Sequence, residues 1–282
     1  MSSIRKFGAE LEYAHCVSRT RLESFVRNAV IEHSDHPIRF EGESRDWWNA
    51  KDEHCGSELT TPCLSFTKAN LDMVCKVIEE LNVEIKKNIL TQKPIADNCG
   101  LHLHIDTVIK SEDKNAWVRF FKIWQCMESP IFSVLPAHRR NNGNIGLLQY
   151  AYSCNNSFRK GEDYPASKSM TAHYVRGSHI EIRHAPSTLS GEYFFQWCAL
   201  VRSIVEIAEG FALKCKYPED NIFADMPQDY RGRLEAKVLI EFITANEKFI
   251  ETQWIKHNMV KMIRWICAQH KEIYGRTVEI AA

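Results

Sequence analysis

The sequence lacks an excess of charge of either sign. Its 282 residues contain 36 Lys and Arg and 36 Asp and Glu, so the formal net charge is zero. A protein that neutralises many phosphates, or that lies on an anionic membrane, usually carries a basic excess. The charge balance therefore argues against nucleic acid and against a membrane surface as the main partner.

Long apolar runs and closely paired cysteines are also absent. No stretch has the apolar length of a transmembrane helix, and the N-terminal segment reaches acidic residues before any apolar run, unlike a signal peptide. The ten cysteines are dispersed and none forms a CxxC pair, which favours reduced thiols over a disulfide framework. These absences predict a cytoplasmic protein.

Apolar periodicity predicts helices along much of the chain, with Thr67 as the N-cap of the second. The predicted helical segments are 19–33, 67–90, 114–135 with an interruption near Pro130, 190–215, 230–248 and 249–275. Hydrophobic residues make up 44% of the sequence, which is enough to bury a large core, and no interdomain linker is evident. We predict one α+β domain over 1–282, with a core over 1–215 and a helical extension over 216–282.

Three segments alternate polar and apolar residues, as half-buried strands do. They are FGAELEYA, GLHLHID and HIEIRH. The polar residues that share one face in each are Glu10 and Glu12, then His102, His104 and Asp106, then His179, Glu181 and Arg183. A fourth short strand, GSELTTP, adds Glu58 to this set.

Glu10 and Glu12 would lie side by side on one strand face, where like charges repel. Such a pair is solvated, neutralised by basic residues, or bound to a cation. Taken alone, an ExE or HxH pattern more often marks the solvated face of an antiparallel sheet. All the polar faces taken together are rich in carboxylates, with histidines and one arginine, which suits Mg²⁺ or Mn²⁺ better than zinc. Arg183 beside metal-held carboxylates would suit a transferring phosphoryl group.

The ordered motifs FGAELEYA, CGSELTTPCL, NCGLHLHID and HIEIRHAPSTL resemble those of the amidoligase family. This family belongs to the carboxylate–amine ligase superfamily, with glutamine synthetase and glutamate–cysteine ligase. The resemblance covers about residues 4–215 and makes these the ligase-like core of a single catalytic domain. It implies a glutamine-synthetase-like fold: a curved, mainly antiparallel sheet, helices packed on its convex face, and a helical C-terminal third.

The activity implied by the resemblance is an ATP- and Mg²⁺-dependent ligation, with Mn²⁺ as an alternative metal. ATP phosphorylates a substrate carboxylate, and an amine attacks the acyl phosphate to give an amide, ADP and phosphate. The implied partners are small carboxylate and amine substrates such as amino acids or polyamines, or a peptide or protein acceptor. Neither the individual substrates nor the oligomeric state follows from the sequence.

The resemblance also implies metal ligands. Glu10, His102 and Glu181 resemble the ligands of the metal that bridges the ATP phosphates. Glu12 and Glu58 resemble ligands of the metal nearer the substrate carboxylate, which gives Glu58 a catalytic role as well.

Nucleotide-binding and catalytic roles follow in the same way. His104 resembles the histidine that contacts the ATP phosphates, and Arg183 resembles the arginine that stabilises the transferred phosphoryl group. In LPAHRRNNGN, Arg139, Arg140 and Asn141 resemble a loop of the family that binds phosphate or carboxylate. We therefore predict Arg139 as catalytic and Arg140 as nucleotide-binding.

Two other functions fit the same residues. One is a non-catalytic nucleotide-binding or scaffold protein that retains the fold. The other is a metal-dependent hydrolase, in which the carboxylate–histidine cluster activates water. Arg183 and the order of the motifs favour the ligase over the hydrolase.

Overall fold

The computed structural model describes most of the chain and divides it into two compact units. The described residues are 5–35, 48–89, 92–140, 172–175, 179–214 and 233–279. The first unit comprises Met1–Asp106 and Ala185–Cys198, and the second comprises Thr107–His184 and Ala199–Ala282. Asn141, which the resemblance placed with Arg139 and Arg140, lies outside the described residues.

Five strands form the sheet of the first unit. They are β1 Lys6–Ala14, β2 Asn49–Glu53, β3 Gly56–Thr60, β4 Leu64–Ser65 and β5 Gly100–Asp106. β1 is central: it pairs with β3, β4 and β5, and β2 pairs with β3. Each of these pairings is antiparallel, in agreement with the predicted α+β class.

The alternation of β1 follows the sequence prediction. Phe7, Ala9, Leu11 and Tyr13 are buried, while Glu10 and the other residues of the opposite face are partly exposed. A period of two allows only one division of this strand into faces, so the apolar residues enter the core and the two carboxylates share the other side.

Two helices of the first unit pack against each other, and one of them lies on the sheet. α1 is Arg19–His33 and α2 is Lys68–Asn88, and α1 also packs against β2 and β3. Thr67 caps α2 as predicted, because its hydroxyl accepts a hydrogen bond of 3.2 Å from the backbone N–H of Asn70. The helices cover apolar side chains and leave the carboxylates of β1 uncovered by that packing.

A tight hairpin joins β2 to β3, and β2 does not follow from the sequence pattern. Glu53 lies opposite Gly56, which leaves His54 and Cys55 as the turn. Gly56 has φ +145°, a conformation that is nearly restricted to glycine. A Cβ at this position would lie 2.5 Å from the carbonyl carbon of Ala14, so the backbone of β1 also requires glycine here.

In the described residues, the remaining elements are two strands, a 3₁₀ helix and five α-helices. They are α3 Lys114–Phe132, α4 Ala137–Arg140, β6 Ala172–Val175, β7 His179–Pro186, α5 Gly191–Lys214, α6 Ala236–Ala245, the 3₁₀ helix Glu247–Phe249 and α7 Gln253–Tyr274. β6 and β7 pair antiparallel. None of the described helices combines the length and apolar character that crossing a membrane requires.

Helix α3 differs from its prediction at Pro130. The helix runs without a break to Phe132, with Pro130 inside its last turn. A proline is costly in the middle of a helix because it removes a hydrogen bond and clashes with the preceding turn. Here only two helical residues follow it, so the proline marks the end of α3 and does not divide it.

The second unit is held together by a core of aromatic residues and by a buried ion pair. Trp117 and Phe121 of α3 stack with ring centroids 5.9 Å apart. On α5, Arg202 donates from Nε to Glu206 over 2.8 Å, and both side chains are almost completely buried. The pairing of antiparallel strands and the helices after residue 190 agree with the predicted fold class, while the curvature of the sheet, its likeness to glutamine synthetase and the single catalytic domain stay predictions.

Candidate metal centre

A row of charged side chains crosses three strands of the first unit. Lys51 of β2 lies opposite Glu58 of β3, and Glu58 lies opposite Glu12 of β1. Side chains directly opposite each other on neighbouring strands have Cβ atoms about 5 Å apart, and like charges in this position destabilise a sheet. Since Glu58 is only 2% exposed, water does little to screen this repulsion. A cation bound between the two carboxylates would therefore stabilise this arrangement.

A second row lies beside the first on β1 and β5. Glu10 lies opposite His102, and His102 Nδ1 is 3.1 Å from Glu10 Oε2. His104 Nε2 is 3.2 Å from Glu10 Oε1. Burial disfavours the charged form of Glu10, but hydrogen bonds and charge interactions with the two histidines outweigh it. The pKa of this carboxyl therefore lies well below its usual value. Glu10 is a carboxylate near neutral pH.

Glu12, Glu58 and His102 meet where the two rows adjoin. Each of the three offers a ligand atom, and these atoms all lie within 4.8 Å of one another. His102 Nε2 is 3.6 Å from Glu12 Oε1, and the backbone N–H of Gly100 donates to Glu12 Oε2 over 2.5 Å, which orients that carboxylate. Ligand atoms around one octahedral ion are roughly 3 to 4 Å apart, so the group needs little movement to close on a cation.

The chemistry of these donors fits Mg²⁺ or Mn²⁺. Two carboxylates and one imidazole form an oxygen-dominated set, which hard divalent cations prefer, and an imidazole is tolerated by both. The cysteines of the described residues are present as thiols, and none belongs to the clusters of candidate ligands found there. The residues present therefore fit the predicted metal.

The environment of Glu58 exerts opposing effects on the pKa of its carboxyl group. Burial, followed by the charge of Glu10, raises the pKa of Glu58 to about 7 against the opposing effect of Lys51. Lys51 Nζ lies 2.9 Å from Glu58 Oε1, and the hydroxyl of Thr60 donates to the same oxygen over 3.1 Å. Burial disfavours charge on Lys51 as well, but the charges of Glu58 and Glu10 raise its pKa.

Glu181 and Arg183 share one face of β7, as predicted. Arg183 Nη1 donates to Glu181 Oε1 over 2.5 Å. His173 of β6 lies opposite Glu181, and its Nε2 is 3.1 Å from Glu181 Oε2. Glu181 is thus buried between a guanidinium and an imidazole. Its predicted role as a metal ligand, and that of Arg183 in phosphoryl transfer, stay predictions.

Arg139 and Arg140 lie in the short helix α4, and the prediction that they belong to a loop is wrong. Arg139 is buried, and its guanidinium donates to backbone carbonyls of β7, from Nε to His184 over 3.2 Å and from Nη2 to Arg183 over 3.1 Å. The contacts of Arg139 therefore support the strand that carries Arg183. Arg140 is half-buried and its charge acts on Tyr274.

Sequence reasoning missed two residues next to predicted ones. Lys51 lies beside Glu58 because of the register of the hairpin. That register follows once His54 and Cys55 are treated as a two-residue turn. His173 lies on β6, a four-residue strand next to undescribed residues, and it contacts Glu181 because the two residues are opposite each other on β6 and β7. The alternation of AHYV was the signal for His173, but so short a segment carries little periodicity.

Comparisons with known proteins give little beyond this geometry. No protein-family model matches the chain, and no curated protein matches it significantly. Among solved structures, the chain is similar to one titled as the complex between prokaryotic ubiquitin-like protein Pup and its ligase PafA, with 13% identity and a TM-score of 0.40. The alignment covers 97% of this chain and 66% of that chain. A similarity this weak does not show a shared activity.

Proposed function

We propose that this protein is an ATP- and Mg²⁺-dependent carboxylate–amine ligase. The observation that carries the proposal is the convergence of Glu12, Glu58 and His102, whose ligand atoms lie within 4.8 Å of one another. Glu10 adds a carboxylate that His102 and His104 keep ionised. The order of the four sequence motifs supports the same class of reaction.

The proposed reaction joins a carboxylate to an amine. ATP donates its terminal phosphoryl group to the carboxylate, the amine then displaces phosphate from the carbonyl carbon, and the products are an amide, ADP and phosphate. Bound Mg²⁺ would supply neutralisation of the charge on the phosphate oxygens. Phosphoryl transfer depends on positioning and charge more than on a protein nucleophile, which fits a centre built from carboxylates and histidines.

Each residue of this chain has a defined task in the proposal. Glu12 and Glu58 would hold the cation assigned to the substrate side, and the backbone N–H of Gly100 keeps Glu12 oriented. The resemblance assigns Glu10 and His102 to the ATP-side cation and His104 to the phosphates. Because His102 Nδ1 lies beside Glu10 and His102 Nε2 lies beside Glu12, this histidine stands between the two proposed cation positions. The resemblance assigns Glu181 to metal ligation and Arg183 to the transferred phosphoryl group, and both assignments form part of the proposal.

The substrates proposed are small carboxylates and amines, or a peptide or protein acceptor. The test incubates the protein with Mg-ATP and a panel of amino acids, polyamines and peptides, and follows ADP release together with the mass of new products. A ligase gives a product whose mass is the sum of two panel members minus water. Glu58→Gln and Arg183→Lys should abolish product formation, whereas Glu84→Gln, at a partly exposed position of α2 outside the centre, should not.

The two other candidate functions are distinct outcomes of this test. Binding of Mg-ATP without turnover on any substrate pair would favour a nucleotide-binding scaffold. Cleavage of amides or phosphoesters in the absence of ATP would favour a metal-dependent hydrolase. If wild type and Glu181→Ala are equally inactive and neither binds Mg-ATP in calorimetry, the ligase proposal is wrong.

A further inference from the structure

Lys51 places a positive charge directly on one of the proposed metal ligands. Its Nζ lies 2.9 Å from Glu58 Oε1, and the register of β2 and β3 sets the two residues opposite each other. The carboxylate is 2% exposed whereas the lysine side chain is 41% exposed. One end of this ion pair is therefore fixed in the protein, and the other end can leave for water.

The ammonium is in effect a built-in cation for the centre. Glu58 is opposed by Glu12 on its other side, and the charge of Glu10 acts on it as well. In the metal-free protein, Lys51 supplies the positive charge that these carboxylates need. A divalent cation bound by Glu12, Glu58 and His102 would supply positive charge, twice that of the ammonium, from the opposite side of Glu58.

Both cations cannot use Glu58 equally well at the same time. Glu58 Oε1 already accepts hydrogen bonds from Lys51 and from Thr60, and an ammonium beside a divalent cation is repelled by it. Glu53 offers Lys51 a second position, because its Oε1 lies 3.7 Å from Nζ on the same strand face and its side chain is 35% exposed. The lysine can thus exchange a buried carboxylate for an exposed one.

We propose that Lys51 competes with the divalent cation for Glu58 and moves toward Glu53 when the metal binds. Lys51 thereby lowers the metal affinity of the centre and keeps its buried carboxylates neutralised when no metal is present. This inference rests on the metal centre of the proposed function. It concerns how tightly that centre binds its cation, not which reaction follows.

The test measures Mn²⁺ affinity, which does not depend on knowing the substrates. Free Mn²⁺ is followed by electron paramagnetic resonance during titration of wild type, Lys51→Met and Lys51→Arg. The matched control is Lys87→Met, because Lys87 also pairs with a glutamate at 2.9 Å but lies on the exposed surface of α2. Glu12→Gln reports independently on whether the cation occupies the centre at all.

The expected result is that Lys51→Met binds Mn²⁺ about twofold to fivefold more tightly than wild type, the range for loss of one competing, partly exposed ion pair. Lys51→Arg and Lys87→Met should bind like wild type. Equal or weaker binding by Lys51→Met, with Glu12→Gln still weakened, overturns the role of Lys51 and leaves the metal centre intact. No Mn²⁺ binding by wild type, Lys51→Met or Glu12→Gln removes the centre and this inference with it.

Glu53→Gln tests the movement of the lysine. In the wild-type background it should weaken Mn²⁺ binding about twofold to threefold, because the displaced ammonium loses its second partner. In the Lys51→Met background, Glu53→Gln should weaken Mn²⁺ binding less, since there is no ammonium for Glu53 to pair with. An equal loss in both backgrounds would mean that Glu53 acts on the metal directly, and would overturn the exchange between the two carboxylates.

Discussion

At the scale of single residues, the centre trades stability for affinity. Glu12 and Glu58 lie opposite each other on β1 and β3, and one of them is almost completely buried. A sheet without a binding function would place a neutral or oppositely charged partner at one of these positions. Relief of the repulsion that remains in the metal-free protein adds to the free energy of cation binding.

Glu12→Gln should therefore change stability in opposite directions with and without metal. Glutamine keeps an oxygen that can accept from the N–H of Gly100 and removes the charge opposite Glu58. We expect the metal-free variant to be more stable than wild type by about 0.5 to 1 kcal/mol in urea unfolding. With saturating Mn²⁺ the order should reverse, because the variant has lost a ligand.

The control for this prediction is Glu84→Gln, which changes the net charge equally at a partly exposed position of α2, away from the centre. It should shift stability little and by the same amount with and without Mn²⁺. A metal-free Glu12→Gln protein that is less stable than wild type would contradict the electrostatic account of the centre.

Gly56 and Gly275 are a matched pair of glycines with positive φ. Gly56 has φ +145° and no room for a Cβ beside β1, whereas Gly275 has φ +65° at the end of α7 and nothing within 4 Å of a Cβ. Gly275→Ala should cost about 1 to 2 kcal/mol of unfolding free energy, the price of the left-handed conformation alone. Gly56→Ala should cost more than this, because the backbone of β1 must also move.

Urea unfolding compares the two glycine variants directly. Gly56→Ala should also weaken Mn²⁺ binding, since moving β3 away from β1 at Gly56 would shift Glu58 out of register with Glu12, while Gly275→Ala should bind Mn²⁺ like wild type. Equal losses of stability in the two variants would show that the turn tolerates a side chain, contrary to the geometry of β1 and β3.

At the scale of elements, a carboxylate of α5 anchors the start of α7. Glu206 Oε2 accepts from the backbone N–H groups of Glu251 and Thr252 over 2.7 and 3.1 Å, and its other oxygen accepts from Arg202. The first N–H groups of a helix have no partner within the helix and attract negative charge. The buried side chain of Glu206 thus accepts hydrogen bonds both from backbone N–H groups at the start of the C-terminal helix and from a buried arginine.

Glu206→Ala should destabilise the protein by about 3 to 5 kcal/mol, because it leaves Arg202 buried without its carboxylate. The double variant Arg202→Met with Glu206→Leu should be less destabilised than Glu206→Ala. Hydrogen exchange should show faster exchange of the amides of Glu251 and Thr252 in both variants. If the double variant loses as much stability as Glu206→Ala, the unpaired charge is not the cause.

The elements that the sequence predicts well are those with a single periodic solution. The faces of β1 follow from its alternation, and Thr67 begins α2 where the capping pattern places it. The hairpin of β2 and β3 was not predicted because its turn, His54–Cys55, carries none of the usual Asn-Gly signals. Pro130 predicts a break in α3 because the sequence alone does not distinguish a proline in the middle of a helix from one in its last turn.

At the scale of the whole molecule, the candidate centre depends on register between strands far apart in sequence. Local patterns predicted that Glu10, Glu12, Glu58 and His102 each face a polar side. They could not predict that Glu58 lies opposite Glu12, or that Lys51 lies next in the row, because a shift of one residue in pairing moves a side chain to the other face. The sequence shows the residue types of the centre, whereas the partners that lie opposite them on neighbouring strands are known only from the fold.

Binding of Mg-ATP should stabilise the whole molecule, and Glu10 tests this linkage. A ligand that binds only the folded protein adds about 2.7 kcal/mol to the unfolding free energy at a hundred times its dissociation constant. Glu10→Gln removes the charge that His102 and His104 maintain, so we expect weaker Mg-ATP binding and a smaller rise in the urea midpoint. Glu84→Gln should show the full rise of wild type, whereas an unchanged response of Glu10→Gln would place the nucleotide away from β1 and β5.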